Sequence, residues 1–230
     1  MTSRLPVTFG LIAACVAVYL LVAAVGATVG TPFEEGVLGQ PGSVLELGAL
    51  VPALVAEGEA WRLVTSAFLH SGFLHLAINM ISLYFLGSFA EIQFGSSRFL
   101  ALYFVSGIAG GLAYLYFDSS DLRPAVGASG AIFGLLGGVF GFALRRGTFS
   151  LQNPIIAQLL LLTALNLFLG ASIPNVSNTA HVGGLVGGLV YGWLFAPTVY
   201  SQKKLVAATP IALALGLEAI LLGVWYLYFA

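Results

Sequence analysis

The residues best suited to chemistry form the short sequence Gly-Ala-Ser-Gly at positions 127–130, where an apolar run over 131–144 begins. Glycines flanking a serine let neighbouring groups come close. A helix that starts there places N–H groups without acceptors, and the positive end of its dipole, around the hydroxyl. Such surroundings suit a nucleophilic serine whose attack creates an oxyanion. The alternative is that Gly127, Ser129 and Gly130 are only small residues for helix packing, which are common in membrane helices.

The overall composition is that of a membrane protein. Hydrophobic residues make up 59% of the 230 residues and charged residues only 7%, too few to cover the surface of a soluble domain. Apolar runs close to the ~20 residues that cross a bilayer recur along the chain. We therefore predict an all-α polytopic membrane protein in contact with the lipid bilayer. The net charge of −1 does not indicate nucleic-acid binding, and one cysteine with three histidines shows no metal-ligand spacing. We expect no metal site.

The apolar runs predict seven transmembrane helices in a single membrane domain, residues 1–230. A six-helix core spans 5–196 and includes a loop at 30–72 that we expect in the membrane interface. A seventh helix follows at 205–229. The fourth helix starts at Ser129 and has about 16 residues, or ~24 Å, which is shorter than the ~30 Å hydrocarbon layer. It is therefore expected inside the bundle. The other runs are 5–29, 73–90, 98–117, 154–169 and 179–195.

The basic residues predict a cytoplasmic N-terminus and a C-terminus outside the cell. This topology places six of the eight lysines and arginines on the cytoplasmic side, as the positive-inside rule requires. The six are Arg4, Arg98, Arg145, Arg146, Lys203 and Lys204, whereas Arg62 and Arg123 fall outside. The N-terminal turns of helices two, four and six then share one depth beneath the outer surface.

Four polar residues of these three turns are predicted to meet. His75 and Asn79 come from helix two, Ser129 from helix four and His181 from helix six. Ser129 would attack, His181 would take its proton, and the remaining donors would hold an oxyanion. No carboxylate lies in a span near that depth, which favours a Ser-His dyad over a triad. Phe133, one turn below Ser129, is placed to support the imidazole.

Each of these residues also has a purely structural interpretation. His181 would bond loop carbonyls at a helix start, and His75 with Asn79 would form a packing pair on one helical face. Asn178 is predicted as the N-cap of the sixth helix and His70 as an interfacial loop residue. For Glu218, in the middle of the seventh helix, we favour structural hydrogen bonding over chemistry.

Small residues recur at a spacing of four in two helices. Such series let two helix backbones approach closely, so we predict contact between the fourth and sixth helices. The series are Gly130, Gly134 and Gly138 in one helix and Gly184, Gly188 and Gly192 in the other. Trp61 and Arg62, in the first loop, are expected to anchor that loop in the membrane interface.

Five short motifs together resemble the rhomboid family of intramembrane serine proteases. They are Trp61-Arg62, His75-x-x-x-Asn79, Gly87-x-x-x-Glu91, Gly127-x-Ser129-Gly130 and Ala180-His181-x-x-Gly184. The resemblance implies that Ser129 is the nucleophile and His181 the general base. It also implies an oxyanion hole formed by His75, Asn79 and the backbone N–H of Ser129. A six-helix core with one added C-terminal helix is a known variant of this family.

The resemblance further implies cleavage of transmembrane segments of other membrane proteins near the outer membrane face, without metal or cofactor. The family often has tyrosine where this chain has Phe133, which keeps the ring and lacks the hydroxyl. Two other functions stay open: a non-proteolytic rhomboid-like protein that binds helices as a chaperone or escort, and a small-molecule transporter. We expect a multi-pass protein of a prokaryotic plasma membrane.

Overall fold

The computed structural model describes residues 5–28, 43–118, 124–172, 176–198 and 204–229. Within these ranges the long elements are all helices, and extended pairing is limited to one bridge between Leu50 and Ala125. The predicted all-helical class is confirmed. The long helices are α1 (Pro6–Thr28), α2 (Phe73–Phe94), α3 (Ser96–Phe117), α4 (Ser129–Arg145), α5 (Pro154–Ser172), α6 (Asn178–Phe195) and α7 (Lys204–Phe229).

Five of these helices are long and apolar enough to cross a membrane, namely α1, α2, α3, α5 and α7. The α4 helix has 17 residues, which corresponds to ~25 Å. Its residues from Ala131 to Gly138 are all buried, so protein surrounds it on every side. The prediction that this short helix lies inside the bundle is confirmed.

The α4 and α6 helices pack backbone against backbone. A β-carbon at Gly188 would overlap the carbonyl oxygen of Gly134, and equivalent overlaps occur one turn above and one turn below. The paired residues are Gly130 with Gly184, Gly134 with Gly188, and Gly138 with Gly192. The residue numbers of the paired glycines increase in the same direction along both helices, so α4 and α6 run parallel. The predicted contact is confirmed, and only glycine lets the backbones come this close.

A buried carboxylate joins three helices at one end of the bundle. Glu91, near the end of α2, accepts hydrogen bonds from the backbone N–H groups of Val7 (3.1 Å) and Thr8 (2.8 Å). It also accepts from the hydroxyls of Thr8 (2.7 Å) and Ser96 (2.6 Å). The first N–H groups of a helix have no acceptor within it, and a negative charge there is favourable. Glu91 therefore fixes the start of α1 against the junction of α2 and α3.

The described part of the predicted interfacial loop, residues 43–72, is folded onto the helices, and its position at the membrane interface stays a prediction. This segment forms short helical turns at Ser43–Glu46, Pro52–Ala56 and Arg62–Thr65, and a 3-10 turn at Ser66–Phe68. Val44 packs in a cluster with residues of α1, and Leu50 and Val55 pack with residues of α3 and α7. Removing these side chains from water favours folding the segment back onto the helices. Residues 30–42 of the predicted loop lie outside the described residues.

Arg62 is buried inside this folded segment, and its role with Trp61 as an interfacial anchor stays a prediction. Only 4% of it is exposed. Its Nε donates to Glu59 Oε2 at 2.6 Å and its Nη1 donates to the carbonyl oxygen of Ala49 at 2.9 Å. Trp61 remains 46% exposed, with the guanidinium 4.7 Å from the centroid of its ring. Arg62 therefore holds two parts of the segment together.

Glu218 lies buried in the middle of α7, as its position in the sequence predicts. Its Oε2 atom has no hydrogen-bond partner among the residues that the structure describes. The structural bonding that we favoured for this carboxyl is thus not found at that oxygen.

Candidate active site

The first turns of α4 and α6 bring a hydroxyl and an imidazole into contact. Oγ of Ser129 lies 2.8 Å from Nε2 of His181, although the two residues are 52 positions apart. A hydroxyl that donates to Nε2 requires the neutral ring to carry its proton on Nδ1. That Nδ1 is buried and has no partner among the described residues. No described carboxylate therefore orients the imidazole directly.

Phe133 supports the same imidazole from one side. It follows Ser129 by one helical turn, and its ring stacks on that of His181 with centroids 4.4 Å apart and planes at 14°. Because His181 is 8% exposed, its ring has little room to leave this plane. The stack therefore limits the imidazole to the orientation that contacts Ser129.

The start of α2 reaches this site through Gly127. A β-carbon at Gly127 would lie 2.8 Å from both Cε1 and Nε2 of His75, and the residue has φ of +124°. Residues that carry a side chain rarely adopt that backbone conformation. Both the limited space and the backbone dihedral angle therefore require glycine. The backbone N–H of Gly127 donates to the carbonyl of Ser66 at 2.9 Å, which holds the two segments together.

His75 presents an N–H donor to this region. The backbone N–H of Ser71 donates to His75 Nδ1 at 3.3 Å, and the Ser71 hydroxyl lies 2.9 Å from the same atom. An Nδ1 that accepts leaves the proton of the neutral ring on Nε2. That Nε2 is the atom that faces Gly127. Asn79 is buried one turn further along α2, where its Nδ2 donates to the carbonyl oxygen of His75 at 2.9 Å.

These groups combine a hydroxyl, an imidazole acceptor and an imidazole donor, a set that suits nucleophilic serine chemistry. Groups of three or more histidine, cysteine or acidic side chains that could hold a metal ion are not found in the described part of the chain. The family model of the Rhomboid domain matches residues 57–198, a range that includes all of these residues. The chain belongs to the rhomboid family.

Curated relatives of this rhomboid protein include both plant and bacterial members. RHOMBOID-like protein 5 from Arabidopsis thaliana is 42% identical over 166 residues, which cover 71% of this chain and 53% of the relative. Rhomboid protease GluP from Bacillus subtilis (strain 168) is 37% identical over 177 residues, or 76% of this chain and 34% of the relative. Inactive RHOMBOID-like protein 8 from Arabidopsis thaliana is 37% identical over 156 residues, which cover 66% of this chain and 44% of the relative. The rhomboid chain thus spans about a third to a half of the length of these relatives.

The family and the apolar helices together identify a multi-pass integral membrane protein. Family membership alone does not decide activity, because one relative is named a protease and another is named inactive.

His70 lies in a loop, as predicted, and is a buried neighbour of the site, whereas its position at the membrane interface stays a prediction. Only 2% of it is exposed, and its ring meets the ring of His75 edge-on at 5.2 Å. Burial and, to a smaller extent, the nearby His75 lower the pKa of His70, the bond to the Phe68 carbonyl raises it, and the net pKa is about 4. The sequence carried no span or periodic pattern around His70, so nothing in it indicated burial.

We expect His70 to make the stability of this rhomboid protein depend on pH. The unfolded chain binds this proton near pH 6.5, but the folded protein binds it only near pH 4. The contribution of neutral His70 to the free energy of unfolding is therefore fully present above pH 6.5. It falls as the pH falls toward 4, and at pH 5 the free energy of unfolding is lower by about 2 kcal/mol. Thermal unfolding in detergent at pH 7 and pH 5 should show a larger drop for the wild type than for His70→Gln. Equal drops in both proteins would contradict this role of His70.

The start of α6 also differs from the prediction. Ser177, not Asn178, is the N-cap, because its Oγ accepts from the backbone N–H of Ala180 at 3.1 Å. Asn178 is the first helical residue, and its Nδ2 donates to the carbonyl oxygen of Leu167 in α5 at 2.8 Å. Two adjacent residues that both favour caps could not be ranked from sequence, because the choice depends on the distant Leu167.

Proposed function

We propose that this rhomboid-family protein is an intramembrane serine endopeptidase that cleaves transmembrane segments of other membrane proteins near the outer membrane face. The contact of 2.8 Å between Ser129 Oγ and His181 Nε2 carries the proposal. It gives the weak serine nucleophile an adjacent base, which is the arrangement that nucleophilic catalysis needs. Similarity to a relative named Rhomboid protease GluP supports the same activity.

In the proposed reaction, Ser129 Oγ attacks the carbonyl carbon of the scissile peptide while its proton passes to His181 Nε2. The tetrahedral intermediate collapses, the C–N bond breaks, and the imidazolium returns the proton to the leaving amine. Water then attacks the acyl-enzyme while His181 takes one of its protons. As the acyl C–O bond breaks, the imidazolium returns this proton to Ser129 Oγ, and a carboxylic acid is released. Phe133 holds the imidazole plane throughout, and Gly127 and Gly130 keep the surroundings of Ser129 open.

The oxyanion of that intermediate needs donors already in place. We assign His75 Nε2–H, the Asn79 amide and the backbone N–H of Ser129 to this role. The tautomer of His75 supports its part, since Ser71 occupies Nδ1. Asn79 uses one amide hydrogen on the His75 carbonyl, which leaves its second hydrogen for the oxyanion.

Replacing Asn79 with alanine should therefore lower turnover and leave substrate binding nearly unchanged. A hydrogen bond that strengthens as charge develops acts on the transition state, and losing one oxyanion donor typically costs about 10²–10³ in kcat. Cleavage of a transmembrane substrate in liposomes, measured across substrate concentrations, separates kcat from KM. An unchanged kcat at saturation would remove Asn79 from the oxyanion hole.

We further propose that all seven long helices cross the membrane, with the N-terminus in the cytoplasm and the C-terminus outside. The six-to-two division of basic residues supports this orientation. A prokaryotic plasma membrane remains our expectation for its location. The relatives described above come from a plant and from a bacterium, so they favour neither a prokaryotic nor a eukaryotic membrane.

A tag at Thr2 should be accessible only from the cytoplasm, and a tag after Ala230 only from outside. Protease protection in sealed cells or inverted vesicles measures both. If both tags are accessible from the same side, the assignment of seven spans is wrong.

The activity itself is tested with a fluorophosphonate probe, which reacts covalently with activated serines. The purified protein in liposomes should react with the probe and should cleave a transmembrane substrate. A chaperone, an escort or a transporter would bind helices or solutes without doing either. Lack of both reactions would refute the proposed function.

A further inference from the structure

Asp118 lies where the end of α3 meets the start of α6. It directly follows α3 and is half-buried. Its Oδ2 accepts a hydrogen bond from the hydroxyl of Ser177 at 2.9 Å, and its Oδ1 accepts from the hydroxyl of Thr179 at 3.2 Å. Both oxygens of one carboxylate are thus used on the segment that begins the helix of His181.

Ser177 passes this contact on to His181 through the backbone. Its hydroxyl donates to Asp118 while it accepts from the N–H of Ala180 at 3.1 Å. Its carbonyl accepts from the backbone N–H of His181 at 3.3 Å. A hydroxyl can serve as donor and acceptor at once, so Asp118 and the first turn of α6 form one connected set of hydrogen bonds. A carboxylate beside a helix N-terminus is also favourable.

We propose that Asp118 is a positioning residue that sets the height and rotation of His181 relative to Ser129. This inference rests on the proposed function. In a catalytic triad a carboxylate orients the base by bonding its Nδ1, but here the Nδ1 of His181 is buried without a partner in the described part of the chain. Asp118 performs the orienting function at a distance, through the helix that carries the imidazole.

The physical requirement is one of precision. The nucleophile and base must lie within about 2.6–3.2 Å, and a displacement of about 1 Å can cost ~100-fold in rate. Without Asp118, Ser177 keeps its cap but loses its tie to α3, and Thr179 loses its acceptor. The first turn of α6 can then shift while the glycine contacts below it continue to hold the two helices together.

The test compares Asp118→Ala with Tyr116→Phe, a matched control at the same end of α3. The Tyr116 hydroxyl donates to the carbonyl oxygen of Leu221 in α7 at 2.6 Å, so its loss removes a bond there without touching α6. For each variant, kcat, KM, the rate of fluorophosphonate labelling and the thermal midpoint are measured in the same liposomes or detergent.

Asp118→Ala should lower kcat and the labelling rate by about 10- to 100-fold, with KM within about twofold of wild type. Tyr116→Phe should leave kcat, KM and the labelling rate within about twofold. Asp118→Asn keeps one acceptor oxygen and should fall between wild type and Asp118→Ala. If Asp118→Ala does not fold, Thr179→Val, which keeps the shape and removes one donor, should still lower kcat more than Tyr116→Phe does.

Equal effects of the Asp118 and Tyr116 variants on kcat would overturn the positioning role and leave the proposed function intact. The role is also overturned if kcat per folded protein equals that of wild type in Asp118→Ala, or in Thr179→Val where Asp118→Ala does not fold. A wild-type protein that neither cleaves substrate nor reacts with the probe would overturn the proposed function, and this inference with it.

Discussion

Ser129→Ala is expected to abolish cleavage of a transmembrane substrate, with a loss in kcat on the order of 10⁴–10⁶. Alanine has no atom that can attack the peptide carbonyl, and no other described hydroxyl is bonded to His181. The fold should survive the change. Ser129 provides no side-chain cap to α4, which begins after Ala128, and a methyl group remains to fill its place.

Cleavage by purified protein and fluorophosphonate labelling should both be lost, while the thermal midpoint stays within a few degrees of wild type. Ser172→Ala is a suitable control, because this exposed serine donates to the carbonyl oxygen of Phe168 in its own helix, far along the sequence from Ser129 and His181, and the variant should keep full activity. Substantial proteolysis by pure Ser129→Ala protein would show that another residue is the nucleophile.

Gly188→Ala should impair stability and activity together. The new β-carbon would overlap the carbonyl oxygen of Gly134, and neither backbone can move without separating α4 from α6. Overpacking of this kind typically costs about 1–3 kcal/mol. A separation near 1 Å between Ser129 and His181 would cost a further ~100-fold in rate.

Gly216→Ala in α7 provides the matched control, because a β-carbon there has no atom within 4 Å. Alanine favours helix over glycine, so this variant should be as stable as wild type and fully active. Thermal midpoint and kcat, measured for both variants in one detergent, decide the matter. If Gly188→Ala resembles Gly216→Ala, close approach of α4 and α6 does not hold the site.

The long helices and the contact between α4 and α6 were predictable because each has a clear pattern in the sequence. Runs of apolar residues marked the long helices, and glycines at a spacing of four marked the faces of α4 and α6 that meet. The counts of basic residues placed the starts of α2, α4 and α6 at one depth, and the structure brings Ser129 to His181 and His75 to Gly127. The catalytic roles of these residues stay predictions.

The residues whose burial or contacts the sequence did not predict lie in segments without a periodic hydrophobic pattern. Arg62 is buried because Glu59 and the carbonyl of Ala49 accept its hydrogen bonds, and His70 is buried beside the ring of His75. Asp118 follows the end of α3, and its partners lie 59 and 61 positions away. Contacts of that separation arise only when the bundle is assembled, so a local pattern cannot predict them.

The evenly spaced glycine pairs of α4 and α6 leave one degree of freedom unspecified. Identical contacts repeated every turn fix the distance and the relative direction of two helices, but not which turn faces which. Sliding α6 by four residues, ~6 Å along its axis, would place Gly134 against Gly184 in an equally close contact. The slide would leave two of the three glycine pairs. It would also break the contacts of Phe133 with His181 and of Asp118 with Ser177, which exist in one alignment only. These contacts that do not repeat therefore help to select the alignment in which Ser129 meets His181.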